Sequence, residues 1–150
     1  HMRIMIIRPP LLLVSAIILS YLASILAPGL RLGGPPVSLL GFGLIATGIG
    51  LFIWSTQVFQ KHKTTLEPRG QPSSLVTIGP YRVSRNPIYL GFLCISIGTA
   101  ILFANVLAFV GPLVFFYFIN TLVIPFEEDM LTKVFGTAYQ TYLKQTRRWL

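Results

Sequence analysis

The side chains able to do chemistry in this chain of 150 residues fall in two short stretches. Residues 77–91, TIGPYRVSRNPIYLG, carry Tyr81, Arg82, Arg85, Asn86 and Tyr89, while residues 125–129, PFEED, carry Glu127, Glu128 and Asp129. Arginines, tyrosines and carboxylates brought together would let a small charged ligand meet a second, lipid-borne one. The same residues also read as plain structure. Asn86-Pro87 suits a helix cap followed by a first helical residue. The three acids suit the first turn of a helix, where the dipole favours negative charge. Arg82 and Arg85 suit headgroup anchors, and Tyr81 and Tyr89 suit interfacial aromatics. Spacing alone leaves both readings open. One cysteine, Cys94, and one histidine besides His1, His62, leave no Cys/His metal cluster in the sequence. Cys94 sits in an apolar run and reads as packing, not as a nucleophile.

The elements that must position these stretches belong in lipid. Hydrophobic residues make up 53% of the chain and charged ones 11%, with a mean hydropathy of +0.72. A soluble domain carries about 25% charged residues, so a water-soluble globule is excluded. A spanning helix needs about 20 mostly apolar residues. Residues 11–30 qualify, begun by Pro9-Pro10 and ended at Pro28-Gly29; so do residues 37–59, after the breaker Gly33-Gly34-Pro35-Pro36. A polar segment follows, over residues 60–86. No charged residue occurs between positions 88 and 126. As one helix that stretch would be roughly 60 Å long, twice the hydrocarbon thickness. It must fold back, and Asn105 is the most polar point near its middle. Spans over about 88–104 and 106–125 result, the first of them short. The expected architecture is all-α, an integral membrane bundle of about four transmembrane helices in a single domain over residues 2–150. An amphipathic interfacial helix over about 126–145 completes it. His1 reads as a cloning remnant ahead of Met2, and the first span reads as retained, not cleaved.

Charge placement sets the expected topology. With the N-terminus cytoplasmic, Arg3, Arg8, Lys61, Lys63, Arg69, Arg82, Arg85, Lys133, Lys144, Arg147 and Arg148 share one side, and Arg31 alone takes the other. That is the positive-inside pattern of four spans, with both termini in the cytoplasm of a prokaryotic inner or plasma membrane. The net charge of +8 then serves topology and attraction to anionic membrane lipids, not nucleic acid. Small residues four apart, Ala46 and Gly50, Cys94 and Gly98, Ser96 and Ala100, predict close helix approach in lipid. Over 126–145, Phe126, Met130, Leu131, Val134, Phe135, Ala138, Tyr142 and Leu143 form one apolar stripe at helical spacing. Such a helix lies on the membrane or folds over the cytoplasmic end of the bundle. Gly136 weakens it by about 1 kcal/mol relative to Ala and predicts a bend or a close contact.

No carboxylate, lysine or arginine falls inside a predicted span, which argues against a proton-coupled transporter or an ion pathway. Spans three and four are antiparallel neighbours, so residues 77–91 and 125–129 come side by side at the cytoplasmic mouth.

The blocks themselves are familiar. Leu75-Val76-Thr77-x-Gly79-Pro80-Tyr81-Arg82, Arg85-Asn86-Pro87-x-Tyr89-x-Gly91, Glu127-Glu128-x-x-Leu131, Phe135-Gly136-x-x-Tyr139-x-x-Tyr142 and Arg148-Trp149-Leu150 occur in this order. Over roughly residues 60–150 they resemble the isoprenylcysteine carboxyl methyltransferase and phospholipid methyltransferase superfamily. The resemblance implies an all-helical membrane enzyme that moves a methyl group from S-adenosyl-L-methionine to a lipophilic small-molecule or lipid acceptor at the cytoplasmic interface. It implies cofactor contacts from Ser73, Ser74, Leu75, Val76, Tyr81, Asn86, Pro87, Ile88, Tyr89 and Glu127. It also implies that Asn86, Tyr89 and Glu128 are the candidate catalytic residues. The chemistry is coherent. Carboxylates can accept from the cofactor's ammonium or ribose diol, helix-start N–H groups can take its carboxylate, and tyrosine faces can stabilise its sulfonium. Methyl transfer is an in-line displacement, so positioning and a dry site supply most of the acceleration, with no covalent intermediate.

Two positions depart from the family pattern. The family usually has His where this chain has Asn86, which cannot serve as a base near neutral pH. Its carboxyl methyltransferases carry an Arg four residues before the cofactor Glu, where this chain has Val123. A prenylcysteine carboxylate is thereby disfavoured as acceptor, and a neutral, amine or thiol acceptor is favoured. Two other classes fit part of the pattern. Sterol-reductase-like proteins share an Arg-x-Pro-x-Tyr-x-Gly motif, but they use NADPH and are longer. A non-enzymatic small membrane protein would use the same residues only as caps and anchors.

Overall fold

The computed structural model describes residues 8–65 and 75–150. Its elements are α1 (Pro9–Leu26), α2 (Pro35–Thr65), a 3-10 turn (Gly79–Arg82), α3 (Pro87–Leu102) and a second 3-10 turn (Val106–Phe109). Then come α4 (Val110–Phe118), a π turn (Ile119–Val123), α5 (Ile124–Phe135) and α6 (Thr137–Gln145). Among the described residues there is no strand, only an isolated bridge between Arg31 and Asn105. Three helical stretches are long and apolar enough to cross a membrane: Pro9–Leu26, Pro35–His62 and Val106–Phe135. The 16 residues of α3 are equally apolar but span only about 24 Å of a hydrocarbon core near 30 Å. The protein is an all-α integral membrane protein. Its outer surface agrees, since Leu39, Phe42, Leu113 and Tyr117 are all mostly exposed, as suits lipid.

Prolines open α1, α2 and α3. The first helical turn needs no N–H from its opening residue, so proline is at home there. Pro35-Pro36 therefore starts α2, where the sequence reading has a breaker. The helix also continues past Phe59 to Thr65, into the polar segment that follows the span. Hydropathy marks where lipid contact ends, not where backbone hydrogen bonding ends.

The fold-back falls at Asn105. Ala104 takes a left-handed conformation (φ 53°), and the turn is tied to the α1–α2 connection by two backbone bonds. Leu32 N–H donates to Ala104 O at 2.7 Å, and Val106 N–H donates to Leu30 O at 3.0 Å. Asn105 is buried; its amide donates to Ser24 O at 3.2 Å and Ala27 O at 2.7 Å, and its Oδ1 accepts from Leu107 N–H at 2.9 Å. One polar side chain thus serves the loose carbonyls ending α1 and caps the next helical turn.

Glycine sets how closely α2 and α3 approach. Gly41 faces Gly98 and Gly48 faces Gly91, so closely that a methyl group on any of the four would come within 3.0 Å of the opposing carbonyl oxygen. The repeat is seven residues, two helical turns, where the sequence reading has four. Gly98, Ser96 and Ala100 do lie on packed faces, but Ala46 and Gly50 do not; Gly50 meets nothing within 4 Å. On the other side, Gly111 of α4 rests against Ala16 and Ser20 of α1. Leu13, Phe92, Phe115, Ile119, Val123 and Ile124 fill the core between them. Gly91→Ala is expected to lower stability by about 1–3 kcal/mol, because a backbone oxygen cannot swing aside as a side chain can. Gly50→Ala, on the open face, should leave stability unchanged or slightly raised. Thermal unfolding in detergent compares the two, and equal losses would contradict this packing.

The helix expected over 126–145 is two helices. The last span runs on into α5 through the π turn, and Pro125 supplies a reason: it cannot donate one turn back, so the preceding turn widens. Gly136, at φ 55° and ψ −123°, ends α5 in a conformation that glycine alone adopts freely. A methyl there would touch nothing within 4 Å, so Gly136 makes a break and no close contact.

Candidate functional site

A cavity of about 460 Å³ lies where the starts of α1 and α3 meet the later part of α2, α5 and α6. That volume falls in the range of small-molecule sites. Pro9, Pro10, Phe52, Phe59, Phe92, Met130, Leu131 and Phe135 give it a largely apolar wall. Leu75, Val76, Tyr81, Asn86, Pro87, Ile88, Tyr89, Glu127 and Glu128 all line it, so the structure brings together nine of the positions singled out from sequence. Ser73 and Ser74 lie outside the described residues. Arg82 is exposed and does not line the cavity.

The two adjacent glutamates do different things. Neighbours on a helix diverge by about 100°, so only one can face a given direction. The Tyr89 hydroxyl donates to Glu127 Oε1 at 2.5 Å, placing that carboxylate against the start of α3. Glu128 is instead gripped by Arg148, whose Nε donates to Oε1 at 3.0 Å and whose Nη2 donates to Oε2 at 2.9 Å. Arg85 Nη2 adds a third contact to Glu128 Oε1 at 3.3 Å, and its Nη1 donates to Leu143 O at 3.3 Å. Such forked arginine contacts are strong and directional. Among the described residues no comparable ion pair reaches Glu127. The helix-dipole reading of these acids does not hold, because α5 continues from the π turn and has no free N-terminus.

Asn86 holds the cap position of α3, yet its side chain makes no cap bond. Its Nδ2 donates to Arg148 O at 3.1 Å instead, beside Ser84 Oγ, which donates to the same oxygen at 3.2 Å. Among the described residues, the first-turn N–H groups of α3 are therefore left without a side-chain acceptor, next to the cavity wall formed by Pro87, Ile88 and Tyr89. A helix start in that condition suits an anion. The Tyr142 hydroxyl donates to Tyr81 O at 2.6 Å and fixes the approach to α3. Burial first, then the nearby charge of Glu127, push the Tyr81 phenol up to about 12. Burial, with Tyr139 and Tyr81 adding, raises Tyr142 as well. Near neutral pH both are hydrogen-bond donors, not bases.

Sequence reasoning missed the aromatic wall and the start of α1. Phe52, Phe59 and Phe92 sit in apolar spans, where nothing in the residue types separates a cavity face from a lipid face. It also missed that the tail bonds to residues at the edge of the site, Ser84, Asn86 and Glu128, although Arg148-Trp149-Leu150 is the available signal. The stripe over 126–145 is partly spent on the cavity: Met130, Leu131, Phe135 and Tyr142 line it.

Comparisons with known proteins bear on this cavity. A family profile described as phospholipid methyltransferase matches residues 37–138. Protein-S-isoprenylcysteine O-methyltransferase A of Arabidopsis thaliana is 40% identical over 68 residues, 45% of this chain and 34% of that protein. A probable protein-S-isoprenylcysteine O-methyltransferase of Oryza sativa subsp. indica is 38% identical over 77 residues, 51% of this chain and 40% of that protein. An uncharacterized protein of Haemophilus influenzae is 36% identical over 63 residues, 42% of this chain and 100% of that protein. The chain thus spans well under half the length of the two plant relatives it matches. No solved structure matches. The profile covers more than half of the chain, including the start of α3 and both glutamates, and the protein belongs to the phospholipid methyltransferase family.

Proposed function

We propose that this protein is a membrane methyltransferase that binds S-adenosyl-L-methionine in the cavity and methylates a lipophilic acceptor drawn from the bilayer. The Tyr89–Glu127 pair carries this reading: a carboxylate without an ion-pair partner among the described residues stands in an apolar cavity beside an uncapped helix start. Those features fit the chemistry of the cofactor. Glu127 would hold its ammonium or ribose diol, the first-turn N–H groups of α3 would take its carboxylate, and Tyr81 and Tyr89 would face its sulfonium. When bound, it supplies an electrophilic methyl group. The chain's own work is to orient the two reactants and exclude water, which the aromatic wall supports. Glu128 and Asn86 are bonded into the clasp around Arg148, so we assign them positioning roles, with Tyr89 and Glu127 in direct contact with the cofactor.

The acceptor we favour is neutral, an amine or a thiol. The position four residues before Glu127 is Val123, which is uncharged and buried in the core, so it offers no cation to an acceptor carboxylate. Both termini are assigned to the cytoplasm. In support, Arg85 and the prolines that follow Arg8 line the cavity end, whereas Arg31 bridges to Asn105 at the fold-back.

The test is transfer of a radiolabelled methyl group from the cofactor to a lipid extract, with the protein in nanodiscs. Label should enter the organic phase. Tyr89→Phe should weaken S-adenosylhomocysteine binding about tenfold, the value of one charge-assisted hydrogen bond. Label confined to water, with unchanged affinity in Tyr89→Phe, would contradict the assignment.

A further inference from the structure

We propose that Arg148 and Trp149 are positioning residues that lock the π turn Ile119–Val123, and so set the helix register in which Glu127 faces the cavity; this rests on reading the cavity as the cofactor site. A π turn holds one residue more than the α-helix around it, and such turns are rare and concentrated at functional sites. Reverting to α-helix would rotate everything beyond the turn by about 100°. Glu127 would then leave Tyr89, and Glu128 would leave its arginines. A turn with that alternative needs to be held from both sides.

The tail does this with two side chains. Asn120, inside the π turn, accepts on Oδ1 from Arg148 Nη1 at 3.2 Å and from Trp149 Nε1 at 3.0 Å. On the far side of the turn, the same Arg148 grips Glu128 through two bonds. One guanidinium therefore spans the irregular turn and fixes both flanks. The Trp149 ring lies against Phe116, with centroids 5.2 Å apart, which holds the tail to α4. The tail backbone is tied to the approach to α3 as well: Arg85 N–H donates to Arg147 O at 2.9 Å, while Ser84 and Asn86 donate to Arg148 O. The helix bearing Tyr89 and the helix bearing Glu127 are thus referenced to one short segment. Neither Arg148 nor Trp149 lines the cavity, so both act through Asn120 and Glu128.

The test compares Arg148→Ala, Arg148→Lys and Trp149→Phe in the full chain in nanodiscs. Three readouts are taken: S-adenosylhomocysteine affinity, melting temperature, and amide hydrogen exchange without ligand. Arg148→Ala should weaken binding about tenfold or more, as expected for losing hydrogen bonds to a charged group. Arg148→Lys keeps the charge without the fork and should recover only part of the affinity. Trp149→Phe keeps the ring against Phe116 and should show a smaller loss at an unchanged melting temperature. In each variant, exchange should quicken over residues 119–128 and stay as in wild type over residues 41–55. Wild-type affinity in Arg148→Ala would overturn the proposal, as would losses that follow melting temperature with exchange raised everywhere. Should Arg148→Ala not fold, Trp149→Phe decides by the same comparison. If the wild type itself binds no S-adenosylhomocysteine, the cavity reading fails separately. Exchange over 119–128 then still decides: unchanged rates in Arg148→Lys refute the lock.

Discussion

Glu127→Ala is expected to abolish S-adenosylhomocysteine binding while the purified protein stays folded. Glu127 is the cavity carboxylate that is not spent on an arginine, and its bond from Tyr89 aims it at the start of α3. Truncating one partner of a buried, hydrogen-bonded charge pair costs a complex about 2–5 kcal/mol, an affinity loss of roughly thirtyfold to several thousandfold. The fold loses little. Removing a part-buried carboxylate that makes no ion pair among the described residues also removes its desolvation penalty, so the melting temperature should hold or rise. Glu127→Gln preserves size and one acceptor and should bind with intermediate affinity. Titration alongside a detergent melting curve checks both halves. Unchanged affinity in Glu127→Ala would place the cofactor elsewhere.

Glu128→Ala, one residue further on, should act first on the fold. It strips the shared partner from Arg85 and Arg148, and the Arg85 side chain is only 11% exposed. Breaking a buried ion pair costs about 3–5 kcal/mol, and partial exposure of Glu128 and Arg148 screens this to about 2–4 kcal/mol. The melting temperature should fall clearly in the absence of ligand, and binding should weaken as well, since Glu128 is one of the two anchors through which Arg148 sets the register of Glu127. Glu128→Gln, which keeps two hydrogen-bonding atoms but no charge, should fall between. If Glu128→Ala melted with the wild type, the clasp would contribute little to stability. The two neighbouring glutamates would then not divide their roles as the geometry indicates.

What could be read from the residues divides by the kind of physics involved. Lipid-buried helices were legible because a low-dielectric solvent leaves few options for the backbone, and the charge-free run from 88 to 126 forced a turn that Asn105 supplies. Leu75 to Glu128 were legible as one candidate site only through the resemblance of their ordered blocks to a known family, since spacing alone left caps and anchors equally open. Helix ends were less so: Pro35-Pro36 reads equally well as a stop or as a first turn, and only the backbone settles it. Facing was the least accessible. Ala46 and Gly50 satisfy the four-residue spacing rule yet point outward, while the glycines that pack repeat every seven residues. The π turn left no composition signal except Pro125. Helix spacing alone therefore shows that Glu127 and Glu128 diverge, but not which of them faces Tyr89.

The most direct measurement is calorimetric titration of the full chain in lipid nanodiscs with S-adenosylhomocysteine, with NADPH run in parallel. Saturable binding of S-adenosylhomocysteine, absent with NADPH and lost in Glu127→Ala, is the predicted result. Binding of NADPH alone, or of neither compound to a protein shown to be folded, would contradict the assignment of this cavity to a methyl donor.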